Sequence, residues 1–183
     1  KALLFLCAGA IIHAAGTRDM YEMGGLRKEM KLTYGAFLAG SLALAGIPPL
    51  NGFWSKDLIL ETAYTHGDAA GSVPLLLLGV TALITVIYTG RMILLVFWGP
   101  KRNPRRARDP DMSMKLPLVL LAFGAVISWG TLQMFSGALQ DTLRKGYHAE
   151  QIELAGFVQE VLMGPFIFLA VLSIIILLYL YSR

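Results

Sequence analysis

The feature that most constrains this chain is the grouping of its apolar residues into long blocks, at residues 1–15, 32–66, 73–98, 116–135 and 159–182. An α-helix rises ~1.5 Å per residue, so ~20 apolar residues cross the ~30 Å hydrocarbon core of a bilayer. The blocks at 73–98, 116–135 and 159–182 meet that length. Charged residues make up 15% of the chain and hydrophobic residues 56%, whereas a soluble domain carries roughly 25% charged residues. In lipid each backbone polar group must be satisfied internally, which favours helices. The pattern predicts an all-α membrane protein, a polytopic bundle of transmembrane helices with the lipid bilayer as its solvent.

The block at 32–66 is too long for one straight span, and it contains Gly46, Pro48, Pro49, Asn51 and Gly52. Two successive prolines lack amide donors and clash with the preceding turn. We therefore expect a discontinuous transmembrane helix, with halves at about 33–46 and about 54–66 joined by an unwound stretch. The block at 1–15 starts at Lys1 rather than Met and is short for a span, so we read it as a partial helix of a fragment.

The connections alternate in charge. Residues 16–31 hold Arg18, Arg27, Lys28 and Lys31, and residues 99–115 hold Lys101, Arg102, Arg105, Arg106, Arg108 and Lys115. The short connection at 67–72 holds no basic residue. Five crossings put both basic loops on one side, which the positive-inside rule makes cytoplasmic or matrix. Residues 136–158 are amphipathic at a helical period in places and are expected on the outer side, where an interfacial helix or an ordered loop fits equally well. The basic excess, +4 overall with a pI near 9.3, is thus a topology signal; no aromatic–basic stripe points to nucleic acid.

Ionisable residues at depth are the candidate functional groups. Lys56 lies 11 residues before Gly67, ~16 Å at helical rise and so near the bilayer centre. A lysine there costs ~2.5–3.5 kcal/mol on an insertion scale. Either it is a structural lysine, paired with Asp57 or with carbonyls freed by the break, or it relays protons. Ser55 is placed to cap the second half-helix, putting Lys56 in its first turn, where the helix dipole and burial both favour the neutral amine. Asp57 favours the charged form. Lys1 lies ~21 Å of helix from Ala15 and is a second candidate. Weaker ones are Glu61, one turn after Asp57, and His13, best read as an interface histidine. Arg91 is read as snorkelling towards the basic side.

No phosphate loop, dinucleotide fingerprint, metal cluster or nucleophile triad is present. The single cysteine, Cys7, cannot hold a cluster. No catalytic, cofactor or metal site is therefore expected in this chain.

The segments KALLFLCAGAIIHA, GTRDMYEMGGLRKEM and LALAGIPPLNGFWSKDLILETA, continued by YTGRMILLVFWGP, together resemble the large antiporter-like (L-type) proton-pumping membrane subunit of complex I. The resemblance covers residues 1 to about 99 and continues to Pro100; beyond that only the hydropathy pattern agrees. It implies an antiporter-like fold in which Lys1 is a central-axis lysine and Lys56 the lysine of the discontinuous helix of the second half-channel. In the related M-type subunit a glutamate stands at the latter position. The resemblance also implies that a first half-channel and a long lateral helix lie outside this stretch. The expected function is proton translocation in a redox-driven quinone oxidoreductase of the respiratory chain. The other membrane-arm subunits would be its partners, and quinone, flavin and iron–sulfur clusters would be held elsewhere in the complex. The expected location is a bacterial or archaeal cell membrane or the mitochondrial inner membrane. Two other functions remain open at this point: the large subunit of a multisubunit cation/proton antiporter, which carries similar segments, and a structural membrane scaffold.

Overall fold

The computed structural model describes residues 1–47, 50, 52, 53, 56, 69–104, 107–143 and 175, with backbone only for 69–72, 74, 75 and 129–143. Pro48, Pro49, Asn51, Ser55, Asp57 and Glu61, and the expected span at 159–182 apart from Ile175, lie outside the described residues. The described residues form helices and loops, with no strand among them.

Helix α1 spans Ala2–Ala15 and ends at Gly16, in the left-handed conformation at φ 72°, whose N–H donates to the Ile12 carbonyl at 2.8 Å. Helix α2 spans Lys31–Ala45. A Cβ on Gly40 would lie 3.1 Å from Leu4 and 3.2 Å from Leu3, and the Cys7 thiol reaches the Thr33 carbonyl at 3.9 Å. Rising numbers on α1 thus meet falling numbers on α2, so the two helices run antiparallel. Lys1 accordingly lies at the same end of the pair as Gly46.

Helix α3 spans Ala69–Ile93 and continues as a π-helical turn, Leu94–Trp98. The stretch Leu76–Trp98, 23 residues long, has the length and apolarity to cross a membrane. Its two faces differ. Val73, Leu76, Val80, Ile84 and Tyr88, spaced by one helical turn each, are exposed, while Ala82, Thr85, Val86 and Thr89 are buried. The threonine hydroxyls on the inner face need acceptors, and they find them four residues back. Thr85 donates to the Thr81 carbonyl at 2.7 Å and Thr89 to the Thr85 carbonyl at 2.6 Å. The π-turn ends with the Gly99 N–H bonded to the Leu94 carbonyl at 2.7 Å.

Helix α4 spans Met112–Leu143 and carries Pro117 in its second turn, where the missing amide donor gives up one bond of the helix. It starts before the apolar block at 116–135 and continues through Leu143, into the outer-side stretch for which helix and loop were both open. α2 packs against α1, α3 and α4. The core is formed by Leu3, Cys7, Ala10, Ile11, Phe37, Phe97 and Leu118 among others.

The two basic loops lie against each other. The carbonyls of Val96 and Phe97 accept the N–H groups of Leu26 (3.4 Å) and Arg27 (3.3 Å). The Arg27 guanidinium stacks 4.3 Å from the centroid of a Trp98 ring, and Trp98 Nε1 donates to the Tyr34 hydroxyl at 3.1 Å. Lys101 pairs with Glu29, which also accepts the Ala107 N–H at 3.0 Å. Asn103 Nδ2 donates to the Ala15 carbonyl at 2.8 Å, closing the end of α1. Arg91 donates to the Tyr21 hydroxyl, so it reaches from α3 into the first loop.

The start of α2 is closed from the second loop as well. Asp109 accepts the N–H of Leu32 (3.2 Å), the N–H of Thr33 (3.0 Å) and the Thr33 hydroxyl (2.9 Å). These are the orphan donors that any helix start presents. Met30, the residue before the helix, has no side-chain acceptor to satisfy them.

Candidate functional site

The site is built at the far end of α2. The helix ends with a paired pattern: the Ile47 N–H donates to the Leu42 carbonyl at 3.1 Å and the Gly46 N–H to the Ala43 carbonyl at 3.2 Å. This Schellman ending requires the left-handed φ of 79° at Gly46, which glycine adopts without strain. The chain then turns back. The Leu50 N–H donates to the Ile47 carbonyl and the Phe53 N–H to the Leu50 carbonyl, both at 3.1 Å, and Leu50 and Phe53 are buried.

The return brings Gly52 onto the end of α2. A Cβ at Gly52 would lie 1.7 Å from the Ala43 carbonyl oxygen, so only glycine fits. Lys56, in helical conformation and half-buried, follows from there. Its side chain lies over Gly46, where an added Cβ would come 3.1 Å from Lys56 Cδ and 3.4 Å from Nζ. Its ammonium donates to the Leu44 carbonyl at 2.7 Å.

This geometry adds to the electrostatic reading of Lys56. The expectation placed the lysine at a helix N-terminus, which disfavours a cation, and the residues that would form that terminus lie outside the described ones. The ammonium reaches the carbonyl end of the preceding helix, where partial negative charge and an acceptor favour a cation. The backbone supplies this partner, one of the carbonyls freed at the break that the structural reading of Lys56 allowed for.

Of the other candidates, Gly46 and Gly52 are brought together with Lys56 by these contacts. Lys1 is exposed at the start of α1, at the same end of the helix pair. His13 is exposed in the last turn of α1, at the opposite end from Lys1. Pro48, Pro49, Asp57 and Glu61 fall among the residues not described. Sequence reasoning missed Asp109 as the cap of α2, because its partners stand 76 and 77 residues away. Among the described residues no group of three or more His, Cys, Asp or Glu is arranged to hold a metal ion.

Residues 1–89, which contain α1, α2 and the lysine site, match the family described as NADH:quinone oxidoreductase/Mrp antiporter, transmembrane. The class is therefore that of antiporter-like membrane domains. Within it, the chain is 45% identical over 133 residues to NADH-quinone oxidoreductase subunit L of Rickettsia typhi, covering 70% of this chain and 20% of that protein. It is 45% identical over 131 residues to NADH-ubiquinone oxidoreductase chain 5 of Marchantia polymorpha, covering 69% of this chain and 20% of that one. With chain 5 of Phytophthora infestans the identity is 43% over 147 residues, covering 77% and 22%. The chain belongs to the L-type branch of the antiporter-like family, as its motifs implied, and it spans about a fifth of the length of these relatives. It is a multi-pass membrane protein, of a bacterial cell membrane or a mitochondrial inner membrane.

Proposed function

We propose that this chain is the proton-carrying portion of a membrane-arm subunit in a redox-driven quinone oxidoreductase, with Lys56 as the group that holds and releases the proton. The observation that carries the proposal is the Lys56 ammonium bonded to the Leu44 carbonyl at 2.7 Å, where α2 ends and the chain turns back. A protonated lysine has three donors. One is held by Leu44, and the remaining donors are free to meet water or a second carrier. Loss of the proton leaves an amine that can still donate to the same carbonyl. The site thus keeps its geometry in both protonation states, as a relay requires.

Pro48 and Pro49 make the interruption permanent, and the two half-helices together form one discontinuous crossing. With the helices of residues 1–15, 73–98, 116–135 and 159–182 it makes five crossings, with the basic loops on the cytoplasmic or matrix side. Lys1, at the same end of the α1–α2 pair as Lys56, is the second carrier; Asp57 restrains proton loss, and Glu61 and His13 are secondary polar groups. The partners are the other membrane-arm subunits, which leave quinone, flavin and iron–sulfur chemistry to the rest of the complex. The names of the relatives, NADH-quinone and NADH-ubiquinone oxidoreductase, favour this reading over an independent cation/proton antiporter.

The test replaces Lys56 in the assembled complex. Lys56→Met keeps much of the side-chain volume and removes the ionisable group; Lys56→Arg keeps a charge that does not leave. In closed vesicles both variants assemble, and both lower the proton-to-electron ratio. A scaffold role predicts the reverse order, with arginine tolerated and methionine blocking assembly. Normal pumping by an assembled Lys56→Met complex rules out the relay.

A further inference from the structure

Helix α2 buries two hydroxyl groups, and their surroundings differ. Thr33 donates to Asp109. Ser41, only 2% exposed, finds no hydrogen-bond partner among the described residues. The omission is not imposed by the helix. Thr81, Thr85 and Thr89 each donate to the carbonyl four residues back, at 2.6–2.7 Å. Ser41 has the same option at Phe37 and does not take it. A buried hydroxyl left unbonded costs free energy, and native proteins commonly satisfy such groups with an internal water.

The position of Ser41 says what such a water would serve. Ser41 follows Gly40, whose level on α2 is that of Leu3 and Leu4, the first turn of α1. Lys1 is therefore close in height. Leu44, whose carbonyl holds Lys56, is three residues further along α2, about 4.5 Å at helical rise. One or two waters, each bonding at roughly 2.8 Å, cover such a gap.

We propose that Ser41 is a positioning residue of the proton path, its hydroxyl holding an ordered water between the first turn of α1 and the Leu44–Lys56 end of α2. This rests on the relay reading of Lys56. A proton leaving Lys56 breaks its N–H bond and forms an O–H bond on the adjacent water. That water passes a proton onward, and Ser41 keeps its hydroxyl throughout. The role of Ser41 is to fix where the water sits and which way its hydrogens point.

A dry, idle hydroxyl and a water-holding one respond oppositely to removal. If Ser41 is idle, Ser41→Ala deletes an unsatisfied polar group, and the protein is equally or more stable with normal pumping. If it holds the water, Ser41→Ala slows proton delivery roughly tenfold, the rate equivalent of one lost hydrogen bond. The experiment compares Ser41→Ala, Ser41→Thr and Lys56→Met in the assembled complex in closed vesicles, reading proton-to-electron ratio and thermal midpoint. The expected result is a lowered ratio in Ser41→Ala, restored in Ser41→Thr, which keeps the hydroxyl. A normal ratio in Ser41→Ala overturns the proposal, as does a lowered ratio in both serine variants, which marks a packing role. If Lys56→Met fails to pump while Ser41→Ala is normal, only the role of Ser41 falls. If Lys56→Met pumps normally, the relay reading falls and takes this one with it.

Discussion

Substituting Gly52 by alanine tests the Lys56 site without touching the lysine. The new methyl would start 1.7 Å from the Ala43 carbonyl oxygen, and real side chains do not approach closer than about 3.0 Å. The partner is backbone at the end of a packed helix, so the segment carrying Gly52 and Lys56 must retreat by at least about 1.3 Å. Directed along the lysine contact, that shift opens the 2.7 Å bond to Leu44 to about 4 Å, well outside hydrogen-bond range. Overpacking of this kind costs about 1–3 kcal/mol, which an assembled complex can absorb. Gly52→Ala should therefore assemble and lose pumping to the extent that Lys56→Met does. Gly46→Ala is the informative comparison. It strains the left-handed φ by about 1–2 kcal/mol, yet its methyl meets Lys56 at 3.1 Å and displaces the side chain by only a few tenths of an ångström. It should lose stability more than pumping. The assay is the proton-to-electron ratio in closed vesicles, normalised to assembled complex. An assembled Gly52→Ala complex that pumps normally refutes the reasoning, because the close approach would then not govern the lysine.

Further expectations concern the other end of the bundle. Asp109→Ala removes the acceptor of two α2 amides and of the buried Thr33 hydroxyl, a cost of about 1–3 kcal/mol. Hydrogen exchange at the first turn of α2 should quicken by roughly 5- to 150-fold, and unchanged exchange would remove Asp109 as the cap. The topology is checked by an impermeant thiol reagent applied from the outside of intact vesicles. Gly71→Cys should label and Lys28→Cys should not, with native Cys7 silent because it is fully buried; the reverse pattern inverts the assignment of the basic loops.

Much of the architecture was legible because lipid selects so strongly. The stretch at 73–98 was visible as a run of apolar residues, and the structure places one helix, with its π-turn, across it through Trp98. The break after Gly46 was visible because Pro48 and Pro49 follow closely and two prolines in a row cannot continue a helix, and α2 does end at Ala45. Lys56 stood out because a charge at depth is costly. That a carbonyl freed by the break could hold it was legible too, but not which one, since a main-chain carbonyl belongs to every residue alike and leaves no compositional mark. The cap on α2 was hidden for another reason: its carboxylate comes from a loop far along the chain, so no local capping pattern exists near Met30. Nor did the apolar block at 116–135 reveal the length of α4, because helical backbone can continue past the apolar stretch that a membrane demands.

Because the acceptor for Lys56 is main chain, half of this site is silent to genetics. Position 44 can drift among helix-forming residues without altering the oxygen that the lysine holds. Gly46 and Gly52, which contribute no chemical group, have no comparable freedom, since the lysine reaches that oxygen only through the space they leave open. A screen for lost function would therefore collect glycine variants and pass over Leu44 altogether. Exchanging the amide that follows Leu44 for an ester would weaken the carbonyl as an acceptor with every side chain in place, and so bring the hidden half into view.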